Sequence, residues 1–206
     1  RLLDQASFGP KLTDIDHVMP QGVGISGYIA EQLAKPAGTY TGWNSNSNAT
    51  PPITGRDVAA DIFEHAVNGD DQLRQRVTLA LQQIFVVSMT TVSDHAAMAD
   101  YLTMLRKDAF VNFRTLMADV TLHPAMGKML NMANNVAFNT SSVAIAPDEN
   151  YARELMQLFT MGLSELNDDG TQKLDCTGDG VADPAPCSAA TGGKPIPTYT
   201  QDQVEN

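Results

Sequence analysis

The sequence predicts an all-α fold, and three observations carry that reading. Apolar residues recur at three- and four-residue spacing over helix-length segments, and these segments open on capping residues and close on Gly, Asn or Pro. No alternating apolar and polar stretch bounded by turns argues for a strand. The expected architecture is an irregular bundle of about seven helices with two long surface loops, one of them closed by a disulfide.

The elements follow in order. Ser26 precedes Tyr28, Ile29 and Leu33, and Pro36 stops that run. Thr54 and Asp57 form a capping-box-like pair ahead of Val58, Ile62 and Ala66, and Asn68-Gly69 ends the second helix. Asp70 or Asp71 caps the third. Its stripe is Leu73, Val77, Leu81, Ile84, Phe85 and Ser88, with Arg74, Gln75, Gln82 and Gln83 largely off it. Ser93 caps the fourth, whose stripe is Ala97, Tyr101, Leu105 and Ala109. Phe113–Leu122 is the fifth. Pro124 suits the first turn of the sixth, which runs through Met126, Met129 and Leu130. Asp148 opens the seventh, from about Glu149 to Leu163. The tight Asn68-Gly69-Asp70 connection favours antiparallel neighbours.

Residues 35–53 read as a surface excursion and 167–197 as a long acidic loop. Thr200 and Gln203 look like the start of a further helix. With that late helix start, and with Arg1 rather than Met in first place, residues 1–206 are expected to be the N-terminal part of a single helical domain that continues beyond Asn206.

Charge excludes some classes. The chain carries 13 Lys and Arg against 24 Asp and Glu, a net of -11. Such a surface repels polyphosphate and anionic lipid, so no nucleic-acid partner is expected. Divalent cations and basic partners remain compatible. No apolar run approaches the ~18 residues of a membrane span, so no transmembrane segment is expected. Cys176 and Cys187 lie in a loop rich in Gly, Pro, Ser and Asp, and neither has a metal-ligand neighbour at the usual spacing. They read as a disulfide, which implies an oxidising compartment and a periplasmic or secreted protein.

Several segments, taken together, carry a family likeness. They are Ala6-Ser7-Phe8-Gly9-Pro10, Gln72 to Val77 running on to Gln83 to Ser88, Asn112-Phe113-Arg114, Val120 to Gly127, Pro147 to Leu163, and Pro197 to Thr200. Their order resembles the family called domain of unknown function 1800, over nearly the whole chain. The resemblance implies an exported bacterial protein of several hundred residues, often encoded beside a second uncharacterised exported family. It implies no activity.

Four constellations can carry chemistry. Glu149, Arg153 and Gln157 share one face of the seventh helix, with Asn150 and Glu154 beside them. This is either an acid–base or ligand-holding cluster or an ordinary helix ion pair that fixes registry. His123, held extended before Pro124, is a candidate base or metal ligand, or a packed helix-entry residue. Met126, Met129 and Met132 spread around the helix and read as core rather than as a copper site. Asp175, Thr177, Asp179 and Asp183 occupy the first, third, fifth and ninth places of a calcium-type loop, with Gly180 sixth. Pro186 stands twelfth, where a bidentate Glu belongs, so the competing account is a solvated turn cluster held by the disulfide. Of Arg74 and Arg76, one is expected to meet a carboxylate, with the Glu149 helix as a source, and the other to be solvated. No Gly-x-Ser-x-Gly motif, phosphate loop or dinucleotide fingerprint is present.

The biochemical activity is therefore unknown from sequence. The preferred expectation is a helical binding or assembly component of the cell envelope or extracellular space, with other exported proteins as partners and calcium as a candidate ion. The alternative is an enzyme of hydrolase or metal-dependent type with a polar site around His123, Glu149, Arg153 and Glu154.

Overall fold

The computed structural model describes residues 1–38, 53–136, 138–139, 144–184 and 186–205. The fold is mainly helical, and the chain divides into two compact units, Arg1–Met129 and Leu130–Asn206. The first contains α1 (Leu2–Ala6), α2 (Leu12–Val18), α3 (Gly24–Ala34), α4 (Gly55–Asn68), α5 (Gln72–Ile84), α6 (His95–Lys107), α7 (Phe113–Leu122) and α8 (Pro124–Met129). Six of these match the expected segments. The two extra helices, α1 and α2, have 5 and 7 residues. A segment that short completes too few turns for periodicity to show.

Local chemistry sets several ends. Thr54 and Asp57 make the reciprocal capping box of α4. α6 is capped by Asp94, not Ser93: its Oδ1 accepts from the Ala96 and Ala97 N–H groups at 3.0 and 3.1 Å. The carboxylate wins because it is one place nearer the first free amides. Asn112 caps α7 by accepting from Thr115 N–H.

The apolar stripe of α5 is half-buried at Leu73, Val77 and Leu81 and leads to the buried Phe85, but the most deeply buried part of the helix is polar. Arg74, Gln75 and Thr78 are buried, while Ile84 is 50% exposed. The reason is a fully enclosed ion pair. Arg106, near the end of α6, donates from Nε and Nη2 to both oxygens of Asp71, at 2.9 to 3.2 Å. Gln75 donates to the same carboxylate at 3.1 Å. Arg74 donates from Nη1 and Nη2 to the Arg106 and Lys35 carbonyls, both at 3.1 Å, and lies 4.4 Å over the Phe110 ring. The start of α5 thus meets the end of α6, so the two helices run antiparallel. Neither Arg74 nor Arg76 forms an ion pair with a carboxylate among the described residues; Arg76 donates to the Gln5 carbonyl and stacks over Phe8.

The ion pair also changes how α5 begins. Asp71 holds the N-cap position but makes no side-chain cap bond. With its carboxylate on Arg106, the Leu73 N–H takes the Gln32 amide oxygen from α3 instead, at 3.2 Å. Gly38 lies against the same guanidinium. A Cβ at Gly38 would sit 2.8 Å from Arg106 Nη2, so any side chain there would press on the pair.

Apolar packing surrounds this centre. Tyr101, Leu105, Val120 and Met126 are fully enclosed, and the Tyr101 hydroxyl donates to the Phe85 carbonyl at 2.8 Å. Leu3, Ala6 and Tyr28 form a second cluster, with Ile29 and Leu73 against it.

Among the described residues, the unit Leu130–Asn206 has fewer buried apolar side chains: Tyr151, Phe159, Ile196 and Val204. α9 (Asn150–Glu154) continues as a π-helical turn over Leu155–Phe159 rather than as α-helix to Leu163. The Thr160 hydroxyl donates to the Leu155 carbonyl, and Gly162, at φ 78°, terminates the segment. α10 (Gln201–Glu205) begins where Thr200 and Gln203 place it.

Two antiparallel ladders also occur, β1 (Phe138–Asn139) with β2 (Ala144–Ile145), and β3 (Leu174–Asp175) with β4 (Lys194–Pro195). Strands of two residues cannot show alternation, which is why the sequence gives no strand signal. Of the two expected surface loops, the larger part of residues 35–53 lies outside the described residues. The other is the β3–β4 hairpin, closed by the Cys176–Cys187 disulfide.

Two measurements test this account. Asp71→Asn leaves the Arg106 charge enclosed without its counter-ion, and urea titration should show a loss of about 3–5 kcal/mol. Asp108, on the turn after α6, is 2% exposed. Burial first, then the neighbouring Asp119 carboxyl, push its carboxyl from 3.8 up to about 6. Its contribution is full below pH ~4 and is lost as pH rises through ~6, a span of about 3 kcal/mol. Asp108→Asn should flatten that fall in melting temperature between pH 4 and 6; an unchanged profile would refute the assignment.

Candidate functional site

The polar cluster begins with how α9 is entered. Asp148 accepts from Asn150 N–H with Oδ1 at 2.8 Å and from the Asn131 amide with Oδ2 at 3.0 Å. Asn135 clamps the Asp148 backbone from both sides, donating to its carbonyl and accepting from its N–H, each at 2.7 Å. Asn131 and Asn134 take left-handed backbone, φ 58° and 61°, a conformation Asn tolerates better than most residues.

From that clamp, α9 presents Glu149, Arg153 and Glu154. The Arg153 guanidinium donates to Glu149 Oε1 and, at 3.0 Å, to the Gln201 amide oxygen. The Gln201 amide in turn donates to Glu149 Oε2 at 2.7 Å. Three side chains from α9 and α10 thus close a ring. Arg153 donating to Glu149, with Gln201 adding a second bond, holds the Glu149 carboxyl below its ordinary range. The same bond raises Arg153, and the Glu149 and Glu154 charges act in the same direction.

Two groups beside the ring are left over. Glu154 Oε2 and the Tyr199 hydroxyl are enclosed by protein and carry no hydrogen bond. Sequence inspection does not flag Tyr199, Gln201, Asn131 or Asn135 as site groups. The Asn-rich run 131–135 and the Thr-Tyr-Thr-Gln run 198–201 are the only traces of them.

His123 belongs to the other unit, Arg1–Met129. It ends α7, and its Nδ1 accepts from Ala125 N–H at 3.2 Å, which caps the entry to α8. An accepting Nδ1 puts the proton on Nε2, which lies 3.4 Å from Asp100 Oδ2. The ring packs edge-on against Tyr101, with centroids 5.0 Å apart. Burial lowers its pKa, and the Asp100 carboxylate opposes that only in part. Nδ1 thus serves the helix entry, while the enclosed Nε2 makes no hydrogen bond.

The acidic loop is held by its own amides. Asp175 accepts from the Thr177, Gly178 and Gly180 N–H groups at 2.5 to 3.0 Å, which lowers its pKa. Asp183 Oδ2 accepts from Cys176 and Thr177, and Asp179 Oδ1 from Val181. Gly178 and Gly180 sit at φ 84° and 81°, where a Cβ would be strained. Cys176 and Cys187 are joined, with Cα atoms 5.9 Å apart. Asp183 lies close to both sulfurs, but disulfide sulfurs are not thiolate ligands.

The sequence model of the family described as "Protein of unknown function (DUF1800)" matches residues 1–206. The chain belongs to this family. No curated protein and no solved structure matches it. DUF1800 membership thus spans both compact units. It confirms the likeness seen in Pro147 to Leu163, the segment that builds α9, and leaves the activity open.

The His123 assignment is testable by pH. A neutral buried imidazole disfavours protonation, so stability is full above pH ~6.5 and falls as the ring is forced to charge at lower pH. His123→Phe should remove this acid-side loss. It should also cost about 1 kcal/mol at pH 8 through the lost cap on Ala125. Thermal melts of both proteins across pH 5–8 give the comparison.

Proposed function

We propose that this chain is a non-catalytic binding or assembly module working outside the cytoplasm, in the periplasm, cell envelope or extracellular space. The observation that carries the location is the closed Cys176–Cys187 disulfide, which braces a hairpin in a unit with few buried apolar residues. Assembly is supported by the apolar side chains left uncovered between the π-turn and that hairpin. Leu158, Met161, Leu163 and Leu166 are each 51–64% exposed, more than a solitary small unit usually leaves open in one run. The Glu149–Arg153–Gln201 ring fits the same reading, because its members satisfy one another.

Calcium is the ion we assign to the hairpin loop. The reading rests on the donor types and spacing of Asp175, Thr177, Asp179 and Asp183. The three carboxylates do not lie within 4.8 Å of one another in this structure, so an ion would have to draw them together. Its role there is to brace the loop.

The enzyme reading rests on one observation, the unbonded Glu154 Oε2 and Tyr199 hydroxyl beside Arg153. A carboxyl and a phenol next to a guanidinium are competent acid–base partners. A Glu154→Gln variant that keeps its melting temperature yet loses a measurable activity would establish it over the binding reading.

Three outcomes test the main proposal. Protein recovered from its native cells should resist thiol alkylation until reduced; free thiols would end the extracytoplasmic reading. Cys176→Ser with Cys187→Ser should lower unfolding stability by about 2–4 kcal/mol. Calorimetric titration with calcium chloride should show one site that Asp179→Asn weakens at least tenfold; absence of heat in the parent chain would remove the ion.

A further inference from the structure

A cleft in the unit Arg1–Met129 shares no residue with the candidate-site cluster or with His123. It lies among α2, α3 and the turn joining α4 to α5, and encloses about 190 Å³. That is below the ~300–1,000 Å³ of drug-sized pockets, and so suits a ligand of amino-acid size.

Its walls are held by polar contacts. His17 Nε2 meets Glu31 Oε2 at 2.6 Å, and Asp14 accepts from Lys11 N–H at 2.8 Å. Gln32 has both ends engaged, donating to the Asp70 carbonyl and accepting from Leu73 N–H. Lys35 donates to the Asp70 carbonyl at 2.6 Å. Such a lining needs little ordering when a ligand arrives.

Two groups remain unpaired. Tyr28 is 6% exposed and lines the cleft, and its hydroxyl has no hydrogen bond among the described residues. The Lys11 ammonium has no ion pair among the described residues.

We propose that this cleft binds a free α-amino acid. The ligand ammonium is held by the Tyr28 oxygen with the Asp14 and Glu31 carboxylates, and the ligand carboxylate by Lys11. Charge selects the class. A bare amine would leave Lys11 facing no anion, and a bare carboxylate would face Asp14 and Glu31. A neutral sugar would desolvate all three charges without compensating any. Burial, and then the Asp14 carboxylate, raise the pKa of the Tyr28 phenol. This inference is independent of the disulfide and of the cellular location.

The test is an NMR titration of the nitrogen-15-labelled chain with an equimolar mixture of the standard L-amino acids, with n-butylamine, n-butyrate and glucose as separate probes. The amino-acid mixture should shift amides within residues 11–17 and 28–35, and the three other probes should not. Tyr28→Phe should weaken binding about tenfold at an unchanged melting temperature, because the hydroxyl supports no protein contact. Lys11→Met, at an exposed position, is the second variant and should weaken binding similarly. The proposal falls if the mixture shifts nothing in the cleft, if any single probe shifts it equally, or if both variants bind as the parent does.

Discussion

The unit Arg1–Met129 is organised around one enclosed charge pair. Arg106 and Asp71 are withdrawn from water together, and neither is tolerable there alone. The consequences spread outward. Asp71 cannot cap its own helix, so Gln32 of α3 supplies that acceptor. Gln75 turns inward to share the carboxylate, and Arg74 follows to reach the α6 C-terminal carbonyls. A helix with a half-buried apolar stripe thus buries polar side chains more deeply, because an unmet guanidinium costs more than an exposed isoleucine.

Among the described residues, the unit Leu130–Asn206 has no comparable enclosed charge pair. With only a handful of buried apolar side chains, it relies on closures: the Asp148 clamp, the Glu149–Arg153–Gln201 ring, and the disulfide across the β3–β4 hairpin. Each joins chain segments distant in sequence, and each constrains the unfolded chain or satisfies a helix end. Small units commonly hold together by such staples where the core is thin. The π-turn after Glu154 belongs to this economy, since it bends the chain toward the hairpin through Gly162, and Thr198 bonds back to the Gly162 carbonyl.

The candidate groups divide along the same line. His123 caps the entry to α8 with Nδ1 while its enclosed Nε2 makes no hydrogen bond, and Glu149 and Arg153 neutralise one another. Besides His123 Nε2, groups with capacity left over include the less conspicuous Tyr28, Lys11, Glu154 and Tyr199. A sequence marks residues by type, and type says nothing of whether a partner is present. Tyr28 reads as a core aromatic by periodicity, and only its place in a cleft wall, with an unbonded hydroxyl, marks it otherwise.

Much of the architecture was legible in the residues themselves. Caps at Thr54, stops at Asn68-Gly69, the proline entry at Pro124 and the paired cysteines act over a few positions, so local chemistry suffices to read them. The family likeness is equally a property of the linear chain. What only the tertiary structure decided were the choices between competing partners. Asp94 rather than Ser93 caps α6, the most deeply buried part of α5 is polar, α9 turns π after Glu154, and Asp175 is wrapped by its own loop amides. These outcomes depend on which group lies within ~3 Å of which, and residues such as Asp71 and Arg106, 35 positions apart, meet only once the chain has folded.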